Sequence, residues 1–303
     1  MGKFMFHTRK YKFLYLLMLP GLLYYIVFNY IPMYGIVIAF QDYVPTQGVQ
    51  HSDWVGFQHF RNLFSSVLFM RVLENTVLIS LYKLLWGFPI PIMLALALNE
   101  IRNKAFKRAI QTVSYLPNFI SWVIISGIVY AIFNEHFGVL TQIIGLFGLD
   151  YVNISRDPAY FREFLVMSSI WKTAGWSSII YLAALTNIDP ELYEAAHMDG
   201  ANRWQTITRI SLPCIAPIIA IVLILSVGSI LAQDFEQIYI LSGENPSLLA
   251  VSDTFESYVF REGIKSNNFS FPAAVGIFQS FVGMWLILGV NAISKKLGYG
   301  GIW

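Results

Sequence analysis

The chain has 303 residues, of which 56% are apolar and only 13% are charged. Soluble domains carry about a quarter charged residues, so this composition is typical of a membrane protein and excludes an ordinary soluble domain. The net charge of +2 gives no indication of nucleic-acid binding. The single cysteine, Cys214, excludes an intramolecular disulfide and a cysteine metal cluster.

Long apolar runs alternate with polar segments along the chain and predict six membrane spans. The predicted spans cover residues 13–40, 71–98, 110–133, 164–188, 214–232 and 272–293. Each is near or above the roughly 20 residues needed to cross the hydrocarbon core. The first run continues past the length of a signal-peptide core, so we interpret it as an uncleaved span, although Pro20 and Pro32 interrupt it. The predicted fold class is an all-α integral membrane protein.

The lysines and arginines of the polar segments predict the orientation of the spans. The N-terminal segment, the loop 99–108, the loop 189–213 and the C-terminal tail carry about twice as many of them as the opposite loops do. The opposite loops, 41–70, 134–162 and 233–271, are polar or acidic and are predicted to lack spans of their own. Both chain ends and the loop between the fourth and fifth spans are therefore expected in the cytoplasm, with the chain crossing the membrane several times.

The loop between the fourth and fifth spans is predicted to fold as two short helices. Asp189 suits an N-cap and Pro190 a first helical position, while Gly200 can adopt the left-handed conformation that ends a helix. A second helical run is predicted from Asn202 to Ser211, with Pro213 and Pro217 ending or kinking it. Taken alone, the residues of this loop also fit a solvated connection between spans.

The pattern EAA, three residues, G, nine residues, I-x-LP in this loop resembles the cytoplasmic signature of the membrane subunits of binding-protein-dependent ABC importers. The matching residues are Glu194, Ala195, Ala196, Gly200, Ile210, Leu212 and Pro213. The resemblance extends to VGFQHF and NT before and within the second span, to FEQIYILSGENP after the fifth, and to the last span. The opening YLLMLPGLLYYIVFNYIPMYG is most similar to permeases for oligosaccharides and polysaccharide fragments.

This resemblance implies a type I ABC importer permease fold in a bacterial cell membrane. It also implies that transport and ATP hydrolysis are carried out by separate subunits. The segment 1–12 and the tail 294–303 would flank a permease domain of residues 13–293, whose coupling loop is 189–213. That loop would dock on a cytoplasmic ATPase, with Asp199 and Arg203 added to the matching residues. The implied partners are two ATPase subunits, a second related permease in a heterodimer, an extracytoplasmic solute-binding protein, an oligosaccharide and the lipid bilayer.

The chain is not expected to be an enzyme or to bind a cofactor. It has no G-x-x-x-x-G-K-[ST] phosphate loop, so ATP and Mg²⁺ are expected on the partner ATPase subunits. Asp234 and Glu236, two residues apart in a segment predicted to be extended, share a face there, but no base or metal cluster accompanies them. His197 has no neighbouring histidine or cysteine with which to bind a metal.

Several polar or aromatic residues in and near the spans are candidates for contact with a transported sugar. They are Lys83, Asn118, Trp171, Lys172, Trp176, Gln233, Asp234 and Gln279. Lysines within apolar runs often face a water-filled cavity, where they could pair with a uronate, but they also snorkel or pair with a partner chain. The tryptophans point in different directions around a helix and also suit packing, and the amides also suit bonds between helices.

Three other functions remain open from the residues alone. The same kind of permease could carry an amino acid, a peptide or an ion. A secondary carrier typically shows internal repeats and ionisable relays, and neither is evident in the sequence. A membrane-embedded enzyme would need convergent carboxylates, histidines or a metal site within the spans.

Overall fold

The computed structural model describes residues 11–148, 151–232, 234–296, 298 and 301. Within these residues the chain is helical apart from one pair of two-residue strands, so the prediction of an all-α chain is confirmed at that level. The chain divides into two compact units. One comprises residues 1–65 with 261–277, and the other comprises residues 66–260 with 278–303.

The first unit starts with one long helical run. Helix α1 (Lys12–Tyr25) continues as a wide π-helical turn, Ile26–Tyr30, and then as a tighter 3₁₀ helix, Ile31–Phe40. Pro20 lies inside α1, and Pro32 lies in the first turn of the 3₁₀ part. The helical run is therefore not ended by either proline. Its type changes at Ile26 and again at Ile31, next to Pro32.

Residues 41–65, expected as an irregular loop, contain four short elements. They are β1 (Gln41–Asp42), α2 (Gly48–His51), β2 (Asp53–Trp54) and α3 (Gln58–Ser65). The two strands pair antiparallel, with Gln41 opposite Trp54. Phe40 stacks on Trp54 with 5.8 Å between ring centroids and lies 5.4 Å from Phe60. The aromatic residues of this segment thus form a small cluster. The prediction of a polar loop did not include such a cluster.

The second unit is built from helices of very different lengths. They are α4 (Val67–Tyr82), α5 (Pro89–Glu100), α6 (Lys104–Tyr115), α7 (Trp122–Phe133), α8 (Val139–Leu146), α9 (Phe161–Thr186), α10 (Pro190–Met198), α11 (Arg203–Thr206), α12 (Leu212–Gly228), α13 (Phe235–Ser242), α14 (Pro246–Ser252) and α15 (Phe255–Phe260). The π-helical segment Arg261–Lys265 and the long α16 (Ser270–Lys296) complete the chain.

Four helical runs in the described part of the chain are long and apolar enough to cross a membrane. They are Lys12–Phe40, Val67–Glu100, Arg203–Gly228 and Ser270–Lys296, which correspond to the predicted first, second, fifth and sixth spans. Helix α9 has 26 residues, enough for the predicted fourth span, but it is not among the sufficiently apolar helices. Polar residues such as Ser169, Lys172 and Ser177 in its sequence account for this. The count of six spans therefore stays a prediction.

The predicted third span is not one continuous helix. Helix α6 and the 3₁₀ turn Leu116–Phe119 meet α7 at an angle of 106°, so the pair is a broken span or a re-entrant loop. Pro117 lies in the 3₁₀ turn, where its ring and its missing N–H prevent an α-helix from continuing. Ser121 then caps α7 by accepting a hydrogen bond from the Ile124 backbone N–H at 3.4 Å. The sequence analysis overlooked Pro117 as a helix breaker.

The predicted acidic loop after the fifth span is also largely helical. Asp234 is the N-cap of α13, so Asp234 and Glu236 occupy a cap and a first helical turn. The expectation of an extended segment with both carboxylates on one face is therefore wrong. Gly243 ends α13 at φ +57°, a left-handed conformation that glycine adopts at little cost.

The loop between α9 and α12 agrees with its predicted start and turn. The Asp189 carboxylate accepts a hydrogen bond from the Glu191 backbone N–H at 3.0 Å, and Gly200 has φ +75°. The second helical run does not end at Pro213, however. A π-helical segment, Ile207–Ser211, joins α11 to α12 within the continuous run Arg203–Gly228. Such a wide turn shifts the carbonyl groups that a proline ring would meet in an α-helix, so the chain runs without a break into the fifth span.

Close packing around α9 forms the centre of the second unit. One apolar cluster includes Tyr181 and Leu182 of α9 with Ala95 and Leu98 of α5, and all four are less than 9% exposed. At Gly175 a β-carbon would lie 1.9 Å from the Ser114 carbonyl oxygen, so only glycine lets α9 and α6 approach this closely. Helix association in a membrane depends on such close packing, because lipid tails are as apolar as the side chains.

Candidate functional site

A polar cavity of about 360 Å³ lies between helices of the second unit. The hydroxyl-bearing residues among its lining are Ser80, Ser169, Thr173, Ser177, Tyr181, Ser226 and Ser229. Lys83 and Asp234 also line it, together with apolar residues of α5 and α12. A cavity with many hydroxyl groups and few charges suits a ligand that both donates and accepts hydrogen bonds.

Helix α9 provides a ladder of hydroxyl groups along this cavity. Ser169, Thr173, Ser177 and Tyr181 follow at intervals of four residues, which places them on one face of the helix. The Thr173 hydroxyl donates to the Ser169 carbonyl at 2.8 Å, so its free lone pairs can still accept a hydrogen bond. The sequence analysis missed this ladder. Its signal was the spacing of small polar residues within a predicted span.

Lys83, predicted as a possible sugar contact, lies at the wall of the cavity. It begins a π-helical turn, Lys83–Gly87, between α4 and α5. Its ammonium group donates a hydrogen bond to the Gln237 side-chain oxygen at 3.0 Å. The carboxylates of Asp234 and Glu256 attract it electrostatically. Lys83 therefore brings a positive charge to one wall of the cavity, and Asp234 brings a carboxylate to its edge.

Asp234 is engaged with its own helix and with α7. Its carboxylate accepts a hydrogen bond from the Gln237 backbone N–H at 3.3 Å and another from the Trp122 indole N–H. These contacts fix the start of α13 at the edge of the cavity. Gln233, predicted beside it as a substrate contact, lies outside the described residues.

Lys172 and Asn118, each predicted as a sugar contact, bond to each other. The Lys172 ammonium donates to the backbone carbonyls of Asn118, at 3.2 Å, and Ile120, and it lies 5.5 Å from the centroid of the Trp122 ring. It thus satisfies carbonyl groups that the break before α7 leaves without helical partners. Neither Lys172 nor Asn118 lines the polar cavity.

The two predicted tryptophans point to different surroundings, as their spacing on α9 indicates. Trp171 lines an apolar depression with Ile90 and Leu94 of α5. Trp176 packs edge-to-face against Phe119, with 5.4 Å between ring centroids. Both side chains are about half exposed, and neither lines the polar cavity.

Gln279 of α16 contacts a carboxylate beyond the lining of the polar cavity. Its side-chain amide donates to one oxygen of Glu256 at 2.7 Å. The other oxygen of Glu256 is buried and has no hydrogen-bond partner among the described residues. The hydrogen bond between Gln279 and Glu256 therefore joins α16 to α15.

Most of the predicted coupling residues lie on an exposed surface formed by α10 and the start of α11. Helix α10 has no buried residue, and Glu194 and Ala195 are exposed. Three apolar side chains here are exposed as well, Leu192 by 47%, Met198 by 88% and Trp204 by 72%. Large apolar side chains that are this exposed are frequent at protein interfaces. The motif-based prediction did not include these apolar residues.

The surface that carries the predicted coupling residues is joined to the helical run Arg203–Gly228 by local contacts. The hydroxyl groups of Tyr193 in α10 and Ser211 lie 3.1 Å apart and form a hydrogen bond. Asn202 and Gln205 form a reciprocal capping box at the start of α11. Leu212 and Pro213 line an apolar groove with Val290 and Ile293 of α16, and Ile210 is half-buried just before them. Short connections therefore link α10 to the start of α12.

A family model describing the binding-protein-dependent transport system inner membrane component matches residues 87–296. The chain is 43% identical over 292 residues to the polygalacturonan/rhamnogalacturonan transport system permease protein YteP of Bacillus subtilis, covering 96% of this chain and 90% of that protein. It is 44% identical over 291 residues to the protein LplB of the same organism, covering 96% and 91%.

Two solved structures resemble the whole chain. One is a bacterial ABC transporter involved in the import of the acidic polysaccharide alginate, with 39% identity, a TM-score of 0.89, and coverage of 97% of this chain and 99% of that chain. The other is a bacterial alginate ABC transporter in complex with an alginate pentasaccharide-bound periplasmic protein, with the same identity and TM-score and 98% coverage of each chain.

Proposed function

The chain belongs to the family of binding-protein-dependent transport system inner membrane components, and on that premise we propose that it imports an oligosaccharide that carries uronate groups. It is the permease component of a sugar or oligosaccharide ABC importer. The observation that carries the choice of an acidic cargo is the Lys83 ammonium on the wall of a hydroxyl-lined cavity. Structural neighbours that import alginate and a relative named for polygalacturonan support it.

The hydroxyl ladder of α9 and the charge of Lys83 would each bind a different part of such a cargo. Hydroxyl groups along Ser169, Thr173 and Ser177 suit the sugar hydroxyls, while the ammonium suits a carboxylate. Asp234, Gln233 and Gln279 remain proposed contacts at the outer end of the path. The remaining predicted contacts would line the path in other conformations of the transport cycle or hold the helices in place. They are Asn118, Trp171, Lys172 and Trp176.

The proposed assembly contains a second, related permease, two ATPase subunits and an extracytoplasmic binding protein. Six spans with both chain ends in the cytoplasm would place the loop 189–213 on the ATPase side. ATP and Mg²⁺ would bind the ATPase subunits, and this chain would provide only the coupling surface. Its exposed apolar side chains, Leu192, Met198 and Trp204, support docking on a protein groove.

A Gly200→Val substitution tests the coupling role. Gly200 has φ +75°, where a β-branched residue is strained by about 1–2 kcal/mol, so the turn between α10 and α11 should be displaced. We expect ATP-driven uptake by the reconstituted transporter to fall about tenfold or more. The wild-type chain should also co-purify with the ATPase subunits.

The matched control is Gly145→Val in α8, where no atom would lie within 4 Å of the added β-carbon and φ is not left-handed. We expect this variant to retain uptake. Wild-type chain without any associated ATPase, or a Gly200→Val variant that imports as fast as the control, would disprove the coupling role.

A further inference from the structure

Gln237 connects the charged residue of the cavity to the wall formed by α9. It lies in the first turn of α13 and is 0% exposed. Its side-chain nitrogen donates to the Leu165 carbonyl at 2.6 Å and to the Ser168 hydroxyl at 3.0 Å. Its side-chain oxygen accepts from the Lys83 ammonium at 3.0 Å. A glutamine in this position was not among the residues that the sequence predicted to matter.

Hydrogen-bond chemistry fixes the orientation of this amide. The Leu165 carbonyl can only accept, so the nitrogen of Gln237 must face it. The Ser168 hydroxyl donates to the same Leu165 carbonyl at 3.1 Å and is therefore available to accept from Gln237. The reversed amide would point its oxygen at a carbonyl and its nitrogen at an ammonium, and both contacts would be repulsive. The oxygen of Gln237 therefore faces Lys83.

The hydrogen bond that holds Lys83 comes from a neutral group, while the carboxylates of Asp234 and Glu256 act on the ammonium only through space. An ammonium has three N–H groups, and Gln237 takes one of them. No second hydrogen-bond partner of Lys83 occurs among the described residues, so two N–H groups are free to meet a ligand in the cavity. A glutamate at position 237 would pair with Lys83 and leave little net charge for a carboxylate ligand.

We propose that Gln237 is a positioning residue that holds the charged Lys83 ammonium against the cavity, and that this arrangement selects anionic over neutral sugars. The inference rests on the proposed uronate cargo and deepens it. It assigns selectivity to a neutral side chain on α13 that is anchored to α9. Because α9 also carries the hydroxyl ladder, one helix would set the distance between the charge and the hydroxyl groups.

The test compares two probes that differ in charge, trigalacturonate and the neutral galactotriose. The complete transporter, with its ATPase, partner permease and binding protein, is reconstituted in proteoliposomes, and ATP-driven uptake of each probe is measured. The ratio of the two uptake rates is the readout. A loss of folded protein lowers both rates together, so it leaves this ratio unchanged.

We expect the wild type to favour trigalacturonate. Gln237→Glu should lower the ratio about tenfold, because Lys83 would then lose one charge-assisted hydrogen bond to the uronate, and the loss of such a bond changes a rate ratio by about that factor. Lys83→Met should lower it as much. Gln237→Met removes the anchor but keeps the charge, and should lower the ratio less. Gln142→Glu makes the same chemical change as Gln237→Glu at an exposed position of α8 and should keep the wild-type ratio.

The possible failures are distinguishable. A wild type that does not favour trigalacturonate overturns both the proposed cargo and the role of Gln237. A wild type that favours it, with Lys83→Met reducing the ratio and Gln237→Glu leaving it unchanged, overturns only the role of Gln237. Equal losses of both uptake rates in Gln237→Glu would also overturn it, because they would indicate a purely structural residue.

Discussion

Lys83 and Lys172 lie in similar apolar surroundings in the sequence, yet their ammonium groups have different partners. Lys83 meets a side-chain amide at the wall of a cavity, whereas Lys172 meets two backbone carbonyls at a helix break. A charge within a membrane span indicates that some polar partner exists, but it does not identify that partner. Only the path of the backbone near Asn118 and the position of Gln237 separate the two roles.

A second feature at the residue scale is the close approach at Gly175. A Gly175→Ala substitution would place a methyl group 1.9 Å from the Ser114 carbonyl oxygen, and two backbones would have to separate to accept it. We expect a loss of about 1–3 kcal/mol in the free energy of unfolding, as for other overpacked sites. The measurement is the thermal unfolding midpoint of the detergent-solubilised chain, followed by circular dichroism.

The control for this prediction is Gly127→Ala in α7, where no atom lies within 4 Å of the added β-carbon. Alanine is the better helix former, so this variant should be unchanged or slightly more stable. Similar midpoints for the two variants would show that α6 and α9 are not packed as tightly as the structure indicates.

At the scale of elements, the break between α6 and α7 has the clearest consequence. It leaves carbonyl groups without helical partners, and within a membrane an unsatisfied polar group costs several kcal/mol. Lys172 of α9 reaches across to two of them, and the Trp122 ring lies beside its charge. The side chain therefore ties α9 to the bend between α6 and α7.

We expect Lys172→Met to lower the thermal midpoint and to reduce the uptake of neutral and uronate trisaccharides by the same factor. Lys172→Arg keeps the donors and should retain more of both than the methionine variant. Lys83→Met, by contrast, should change the ratio of the two probes. A specific loss of uronate uptake in Lys172→Met would mean that Lys172 contacts the cargo, as the sequence analysis first suggested.

The coupling loop shows how far sequence reasoning extends at the same scale. Local signals predicted its first helix, since the cap at Asp189 and the turn at Gly200 depend on adjacent residues. Pro213 and Pro217 were predicted to end or kink the second helix, and the helix does not end at either of them. A π-helical turn, Ile207–Ser211, lies just before Pro213, and the local pattern of residues did not predict it.

At the scale of the whole molecule, the distribution of basic residues predicts which loops face the cytoplasm. Met198 of α10 is 88% exposed, and Gln142 of α8 is exposed on a loop predicted to face the other side. In a Cys214→Ser background, we expect a membrane-impermeant maleimide to label Met198→Cys only in inside-out vesicles. The same reagent should label Gln142→Cys only in right-side-out vesicles.

Vesicles permeabilised with detergent provide the control for this measurement, because both cysteine variants should then be labelled. Labelling of both positions from the same side would contradict an odd number of membrane crossings between them. Labelling with the sides exchanged would instead reverse the whole orientation, and with it the placement of the coupling surface on the ATPase side.

The sequence by itself determined the membrane class, most of the apolar spans and the family signature, because these depend on composition and on residues close together along the chain. The tertiary structure decided the break at Pro117, the helical outer segment and the partners of the two lysines within the apolar runs. It also brought the hydroxyl ladder and Lys83 to one cavity, with Gln237 bonded to Lys83 behind its wall. Those features join residues up to 154 positions apart, as in the Lys83–Gln237 hydrogen bond. No local pattern identifies such a partner, since in a membrane a polar side chain bonds with whichever group the helix packing brings within reach.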